Sequence, residues 1–414
     1  MTNSPRILLI GIGGVYNYGC EAIVRGTERV LHEQWPEARI VYASCRPAED
    51  GARLRGCPVE IVPRKCIGRY SARNVLRKLL SGAGIAWYPI SDPPAMADGY
   101  DAVLSIGGDI YTVRPNGVGH RGFLRFGDEC EKRGVPYVLW GASVGPFPQG
   151  SETERVFTEH LKNISLIAVR EPATVDYLRA RGICDNVVPC ADPAYVVAPE
   201  ITAGPVPERH RLTIGVNLSP LSALHAGYSL EESLQVQART LQALIEALDL
   251  QVVLIPHVVC ERVERDDDWR YLQRLGRAMG SEYQGSVTLL GHDLGFVGTK
   301  MELRKCDLVL AARMHCAINA LAAHVPTILL SYSRKAVGMC QYVYGNSEWT
   351  VPLTEFLPDH ILRKLGKLMG QIDETRGYLA KRIPEIQDAA FRPARALKDM
   401  LEGRATWHGR VMSR

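Results

Sequence analysis

Arg313 and His315 stand two residues apart in the segment DLVLAARMHCAINALAAHVPTILL, which runs from Asp307 to Leu330. Arginine carries a planar fork of N–H groups matched to a carboxylate or phosphate, and histidine can donate or accept a proton. The residues around them read as strand, turn, helix, strand. An apolar run, Leu308 to Ala311, gives way to helical spacing at Ile318, Leu321, Ala322 and Val325, and Pro326 opens a second apolar run. In an open α/β sheet, ligands gather at the carboxyl ends of strands. A helix N-terminus there adds N–H groups and partial positive charge. The pair is therefore an address for a small, multiply charged anion. In isolation it would read more plainly as a surface charge cap beside a packed turn residue; the strand–turn–helix setting favours the anion.

Other polar residues follow strand-like runs in both halves of the chain. The first run leads into GIGGVYNYGCEAIVRG, where Asn17 can cap the next helix and Glu21 suits its first turn. This is neither G-x-G-x-x-G, since position 16 is Tyr, nor a P-loop, since no G-K-[ST] follows. Ala102–Ile106 leads into Gly107, Gly108 and Asp109; Tyr137–Trp140 into GASVGPF; Leu166–Val169 into Arg170, Glu171 and Pro172. In the second half Leu212–Val216 ends at Asn217, and Gln251–Ile255 at Pro256 and His257. Each is ordinary alone, and His257 alone would read as structural. Together they predict one shared cleft.

Elements that alternate in this way imply α/β architecture with parallel sheets covered on both faces. Further strands are predicted at Ile7–Ile10, Ile40–Ala43, Val59–Val62, Asn186–Val188, Val287–Leu289 and Thr327–Leu330. Helical patterns cover Cys20–Gln34, Phe123–Lys132, Thr153–Asn163, Ala173–Arg181, Glu232–Leu248, Asp267–Met279, Val297–Lys305 and His315–His324, with tail helices at Asp359–Gly370 and Ile386–Glu402. Pro193 to Pro207, with Pro199 and Pro205, reads as a linker. The expected plan is two Rossmann-like domains facing a cleft, over residues 1–200 and 208–350, with a helical tail, 351–414, able to cross back to the N-terminal domain.

At 414 residues the chain has ample length for two cores, and its 46% hydrophobic and 23% charged residues are those of a soluble globular protein. A net charge of +4 with no cluster of basic and aromatic residues excludes a nucleic-acid footprint. The 11 cysteines form no C-x-x-C pair, so neither a disulfide framework nor a zinc site is expected, but reduced thiols in a reducing compartment. With no signal-like start and no membrane-length apolar run, a cytoplasmic location is expected. The basic stretch from Arg64 through Lys65, Arg69, Arg73, Arg77 and Lys78, and the C-terminal Arg404, Arg410 and Arg414, could touch the inner membrane face transiently; a solvated surface explains them equally.

The segments NYGCEA, SIGGD, GASVGPF, VREPATVDYL, CADPAYV, GVNLSP, LIPHV and, above all, LAARMHCAINALAAHVPTILLSYSRK resemble the polysaccharide pyruvyl transferase family over roughly residues 7 to 340. In that family the last segment reads S-R-x-H-x-x-I-x-A, then G-x-P, then Y-x-x-K; Arg313, His315, Ile318, Ala320, Pro326, Tyr332 and Lys335 fit. Four positions depart. Cys20 stands where Asp is usual, Asp109 where a third Gly is usual, Ala312 where Ser is usual, and His324–Val325 where G-x precedes the proline.

The resemblance implies a GT-B-like fold, an acceptor side in the N-terminal domain and a donor side in the C-terminal one. It implies transfer of a pyruvyl group from phosphoenolpyruvate to two sugar hydroxyls, forming a cyclic ketal, with no cofactor and no metal. The acceptor would be a sugar, an oligosaccharide or a lipid-linked glycan. Arg313 and Lys335 would meet the donor anions with Arg170 as a further charge partner, and Asn217, His257 and Asn17 would contact substrate. His315 would transfer a proton or bind phosphate, which is left open. Asp109 or Glu21 would act as base toward the acceptor. Three alternatives remain: a GT-B-like glycosyltransferase using a nucleotide-sugar, a non-catalytic anion-binding protein of a polysaccharide locus, and a related enzyme moved to another donor.

Overall fold

In a computed structural model of the protein, the described residues are 4–64, 75–76, 79–80, 90–113, 121–198, 211–225, 227–262, 266–332 and 334–403. Lys65, Arg69, Arg73, Arg77, Lys78, Arg404, Arg410 and Arg414 lie outside them, as do Pro199, Pro205 and Pro207. The chain divides into two compact units: Met1–Gly14 with Ile23–Pro193 and Ala389–Arg414, and Val15–Ala22 with Ala194–Asp388.

The first unit carries β1 (Arg6–Ile10), β2 (Arg39–Ser44), β3 (Glu60–Pro63), β4 (Ala102–Ile106), β5 (Tyr137–Ala142), β6 (Leu166–Val169) and β7 (Val187–Pro189). Its helices are most of α1 (Tyr18–Gln34), then α2 (Pro47–Arg53), α3 (Arg121–Lys132), α4 (Glu152–Asn163) and α5 (Pro172–Arg179). The strands form one parallel sheet in the order β3-β2-β1-β4-β5-β6-β7. β1, β4, β5 and β6 are almost continuously apolar because both faces are covered, and Leu8, Val103, Leu139 and Phe157 lie in one fully buried cluster. Arg64, the first residue of the basic stretch, is not a surface charge: its Nε and Nη2 hold Asp92 at 2.5 and 2.7 Å in a buried pair.

The second unit carries β8 (Thr213–Asn217), β9 (Gln251–Leu254), β10 (Val287–Leu289), β11 (Leu308–Ala311), β12 (Thr327–Ser331) and β13 (Thr350–Pro352). Its helices are α6 (Pro220–His225), α7 (Leu230–Leu248), α8 (Asp268–Ala278), α9 (Gly295–Leu303), α10 (Met314–Leu321), α11 (Arg334–Tyr344), α12 (Pro358–Met369) and most of α13 (Ile372–Leu401). The parallel order is β10-β9-β8-β11-β12-β13. In both units the order reverses beside the first strand, at β1/β4 and at β8/β11. These are the topological switch points, where neighbouring connections leave in opposite directions and open a crevice.

The sequence pattern misses α2, α6, α11 and β13, all short or bounded by Gly and Pro. It also starts the last helix at Ile386, because Pro384 should end any helix before it. Instead α13 begins at Ile372 and runs through Pro384 and Pro393. Leu379, Ile383, Ile386, Ala390, Ala394 and Leu397 are all buried, an unbroken three- and four-residue stripe whose packing outweighs two lost backbone bonds. Cys45 departs from the expected all-reduced thiols, being disulfide-bonded, while Cys20, Cys130, Cys190, Cys306 and Cys316 are in no disulfide. Among the described residues no helix is long and apolar enough to cross a membrane.

Candidate active site

At the switch point of the second unit, Asn217 ends β8 and Arg313 follows β11 as the residue before α10. The Asn217 side chain is fully buried. Its Oδ1 accepts from the Arg313 N–H at 2.8 Å, its Nδ2 donates to the Ile255 carbonyl at 2.8 Å, and its backbone carbonyl accepts from the Ala312 N–H at 3.0 Å. One carboxamide thus ties together the ends of β8, β9 and β11, and satisfies an N–H that the helix start leaves without an intrahelical partner.

The Arg313 side chain turns onto the start of α8. Nη2 donates to Asp268 Oδ1 at 2.7 Å and to Asp266 Oδ1 at 2.9 Å, and Nε to Asp268 Oδ1 at 3.3 Å. The other Asp268 oxygen accepts the N–H groups of His257 at 3.1 Å and Val258 at 3.0 Å. Burial raises the pKa of the Asp268 carboxyl, an effect that Arg313 and the His257 N–H offset only in part. Burial works against the charge of Arg313, but Asp268 and Asp266 more than offset this and raise its pKa. The sequence pattern places Asp267 only as the first residue of a helix, so Asp268 and Asp266 are not among its candidate site residues. The signal was there in three successive Asp residues placed shortly after a strand end.

His257 is buried, with its ring edge-on to Tyr18 at 5.5 Å and Phe296 at 5.7 Å. Burial, then the nearby His315 and Arg313, lower its pKa well below the ordinary range, so it is a neutral imidazole. The backbone after β9 pairs with the segment Val15–Ala22. Tyr18 N donates to the His257 carbonyl at 3.1 Å, Val259 N to the Tyr16 carbonyl at 3.2 Å, and Asn17 bridges Val258. Asn17 caps α1, its Oδ1 accepting from the Gly19 N–H at 2.9 Å. Glu21 is buried, and Oε2 accepts the Phe296 N–H at 2.9 Å, supplying at the start of α9 a cap that Leu294 cannot.

His315 is half-buried in the first turn of α10. A Cβ added to Gly19 would lie 2.4 Å from His315 Nδ1, so only glycine lets the α1 start approach this closely. The motif glycine of NYG therefore seats the motif histidine. Lys335 lies in the first turn of α11, beyond the carboxyl end of β12. In this unit, then, Asn17, Glu21, Asn217, His257, Arg313 and His315 converge, and Lys335 follows the strand next to β11.

Asp109 and Arg170 belong to the first unit. Arg170 follows β6 and is buried; Nη1 bonds Asp192, and Nε lies 3.9 Å from Glu171. Burial opposes its charge, but Asp192, Glu171 and Asp109 raise its pKa. Ser143 Oγ donates to Glu171 at 2.7 Å, Ser143 N to the Gly108 carbonyl at 2.9 Å, and a Cβ on Gly108 would meet Arg170 Nη2 at 2.0 Å. Four motif segments, SIGGD, GASVGPF, VREPATVDYL and CADPAYV, are thus assembled around one guanidinium. Asp109 is exposed; its backbone carbonyl accepts from Thr112 Oγ1 at 2.8 Å, and its φ is not positive, so glycine is not required there. His324 is different: at φ 61 it holds the left-handed conformation that glycine of G-x-P would adopt freely. Among the described residues no group of three His, Cys, Asp or Glu side chains could hold a metal ion.

No curated protein matches the chain at the sequence level. In fold, the chain is similar to a putative UDP-N-acetylglucosamine 2-epimerase from Listeria monocytogenes, with a TM-score of 0.63 at 12% identity over 96% of this chain and 97% of that one. It is similar to UDP-GlcNAc 2-epimerase from Neisseria meningitidis bound to UDP-GlcNAc, at 0.60 and 12% over 95% and 99%. It is also similar to the calicheamicin glycosyltransferase CalG4, at 0.54 and 16% over 98% and 100%. At these identities the likeness establishes the GT-B-like fold alone. The family model described as polysaccharide pyruvyl transferase matches residues 17–334, which include every candidate site residue except Lys335, and the chain belongs to that family of transferases.

Proposed function

We propose that the protein transfers the pyruvyl group of phosphoenolpyruvate to two hydroxyls of a polysaccharide or precursor sugar, forming a cyclic ketal and releasing phosphate. The observation that carries this reading is the Arg-x-His turn at the switch point of the second unit, in a chain of this family. The donor bears a carboxylate and a phosphate. Arg313 offers a guanidinium whose plane is held by Asp268, and Lys335 a second cation from the next strand end. The donor's methylene carbon must gain a proton, a first hydroxyl must add to the adjacent carbon, and a second must replace phosphate. Of the two hydroxyl protons released, one balances the methylene proton and the other leaves with phosphate.

His315 is assigned the proton or the phosphate. Neutral His257 and the Asn217 carboxamide are assigned to positioning, since both are buried and Asn217 is fully committed to backbone. Asn17 is assigned to seating Gly19 against His315. Of the two candidate bases, Glu21 is committed to Phe296, so the role falls to Asp109, the exposed carboxylate. Arg170 is assigned to holding its four loops together rather than to the donor. No cofactor is needed for this chemistry. A lipid-linked acceptor would bring the enzyme to a membrane surface.

Calorimetric titration with phosphoenolpyruvate and, separately, UDP-N-acetylglucosamine tests the reading. Saturable binding of phosphoenolpyruvate, with phosphate release once a sugar acceptor is added, is the expected result. Binding of the nucleotide-sugar alone would replace the reading with glycosyl transfer. Phosphoenolpyruvate binding without phosphate release across an acceptor panel would favour a non-catalytic role.

A further inference from the structure

Arg313 has five N–H donors. Those on Nε and Nη2 meet Asp268 and Asp266, and no described residue accepts a hydrogen bond from Nη1. A carboxylate or phosphate is gripped bidentately only by two parallel N–H groups. On the end of Arg313 that includes Nη1, the second donor must come from Nη2, which Asp266 occupies at 2.9 Å.

The two aspartates are held very differently. Asp268 has no exposed side-chain surface and uses both oxygens, one on Arg313 and one on the His257 and Val258 N–H groups. Asp266 keeps 35% of its side chain exposed, and among the described residues its hydrogen bonds from side chains come from Arg313 alone. Removing Asp268 would strand a buried cation and two buried N–H groups. Releasing Asp266 would return a carboxylate to water at small cost. The guanidinium and two carboxylates also sum to one negative charge, which repels an anionic ligand until one carboxylate withdraws.

We infer that the two carboxylates divide the work on Arg313: Asp268 is the positioning residue that fixes the guanidinium plane, and Asp266 is an exchangeable occupant whose carboxylate holds the place that an anionic oxygen of the substrate takes. This rests on the donor reading of Arg313. Binding is then an exchange of one carboxylate for the donor's carboxylate or phosphate, and the ligand's apparent affinity is reduced by the fraction of molecules in which Asp266 is seated.

The test is calorimetric titration of phosphoenolpyruvate, with inorganic phosphate in a parallel arm, into the full chain as wild type, Asp266→Asn and Asp268→Asn, with a melting temperature for each. Asp266→Asn should bind phosphoenolpyruvate about three- to tenfold more tightly than wild type, as loss of a partly exposed ion pair allows, with its melting temperature near that of wild type. Asp268→Asn should bind at least about tenfold more weakly. A gain for phosphate as well would place the phosphate on this edge; a gain for phosphoenolpyruvate only would place the carboxylate there. If wild type binds and Asp266→Asn binds equally or more weakly, the exchange is overturned while the donor reading stands. If wild type does not bind phosphoenolpyruvate, the donor reading fails and the inference falls with it. Failure of Asp268→Asn to fold leaves the Asp266→Asn result decisive.

Discussion

Arg170 and Arg313 occupy the same kind of place. Each follows a parallel strand, β6 or β11, each precedes a helix, and each is paired with aspartate. Their surroundings separate them. Arg170 is sealed, with 4% of its side chain exposed against an equally buried Asp192 and the Gly108 backbone packed onto its Nη2. Arg313 keeps 12% exposed and an Nη1 that no described residue engages. Arg170 is sealed from solvent with a buried Nε that has no hydrogen-bond partner among the described residues, and it serves as a bolt between loops. Arg313 is anchored by Asp268 and keeps an edge shared only with the part-exposed Asp266. Residue type and strand position are shared by both, so neither distinguishes a bolt from a binding site; access from solvent does.

The sharpest way to break this contrast is Arg170→Ala. It removes the guanidinium that faces the buried Asp192 and should cost about 3–5 kcal/mol of stability, read as a large fall in denaturation midpoint or loss of soluble protein. A mild effect would mean that Arg170 is not a bolt. Arg313→Lys is next. Lysine keeps the charge but loses the fork, so kcat/KM for phosphoenolpyruvate should fall about 100-fold or more with a much smaller change in melting temperature. Arg313→Ala is the poorer test, because it strands the fully buried Asp268 carboxylate and confounds binding with folding.

Gly19→Ala asks whether the seating of His315 matters. The added methyl needs room 2.4 Å from Nδ1, and an imidazole displaced by such a clash should lower kcat/KM about tenfold or more. Unchanged kinetics would show that the turn simply yields.

A smaller effect concerns pH. His257 has a folded pKa well below its unfolded value of about 6.5, so the unfolded chain binds the extra proton. Its contribution to stability is complete above about pH 6.5 and is lost as pH falls below that value, with a slope of up to about 1.4 kcal/mol per pH unit. Denaturant midpoints measured from pH 7 down to 5 should show this slope, and His257→Gln should flatten it. The smallest expected effect is His324→Gly. It relieves the left-handed conformation at φ 61 and should add about 0.5–1 kcal/mol, seen as a modest rise in melting temperature with activity unchanged.

Much of the plan was legible in the chain. β4, β6 and β10 fall at the bounds their apolar runs predict, and most other elements within two residues, because a strand buried on both faces must be continuously apolar. The Arg-x-His turn was legible for the same reason: Arg313 and His315 stand where an apolar run ends and a helical period begins. α13 was misread, since Pro384 is a local signal and the buried stripe from Leu379 to Leu397 acts at longer range.

The sequence by itself determined two parallel α/β units, the strand-end positions of the polar residues, and the capping role of Asn17, because periodicity and turn chemistry act over a few neighbouring residues. Only the tertiary structure decided which of those residues a ligand can reach. Asn217 is turned inward to sew three strand ends together, Glu21 is committed to the backbone of Phe296, and Arg170 is locked against Asp192. Asp268 becomes the anchor of Arg313 from 45 residues away. Hydrogen-bond partners so distant along the chain meet only when the sheet order is set. A side chain's free valence is therefore a property of the fold, not of its place in the sequence.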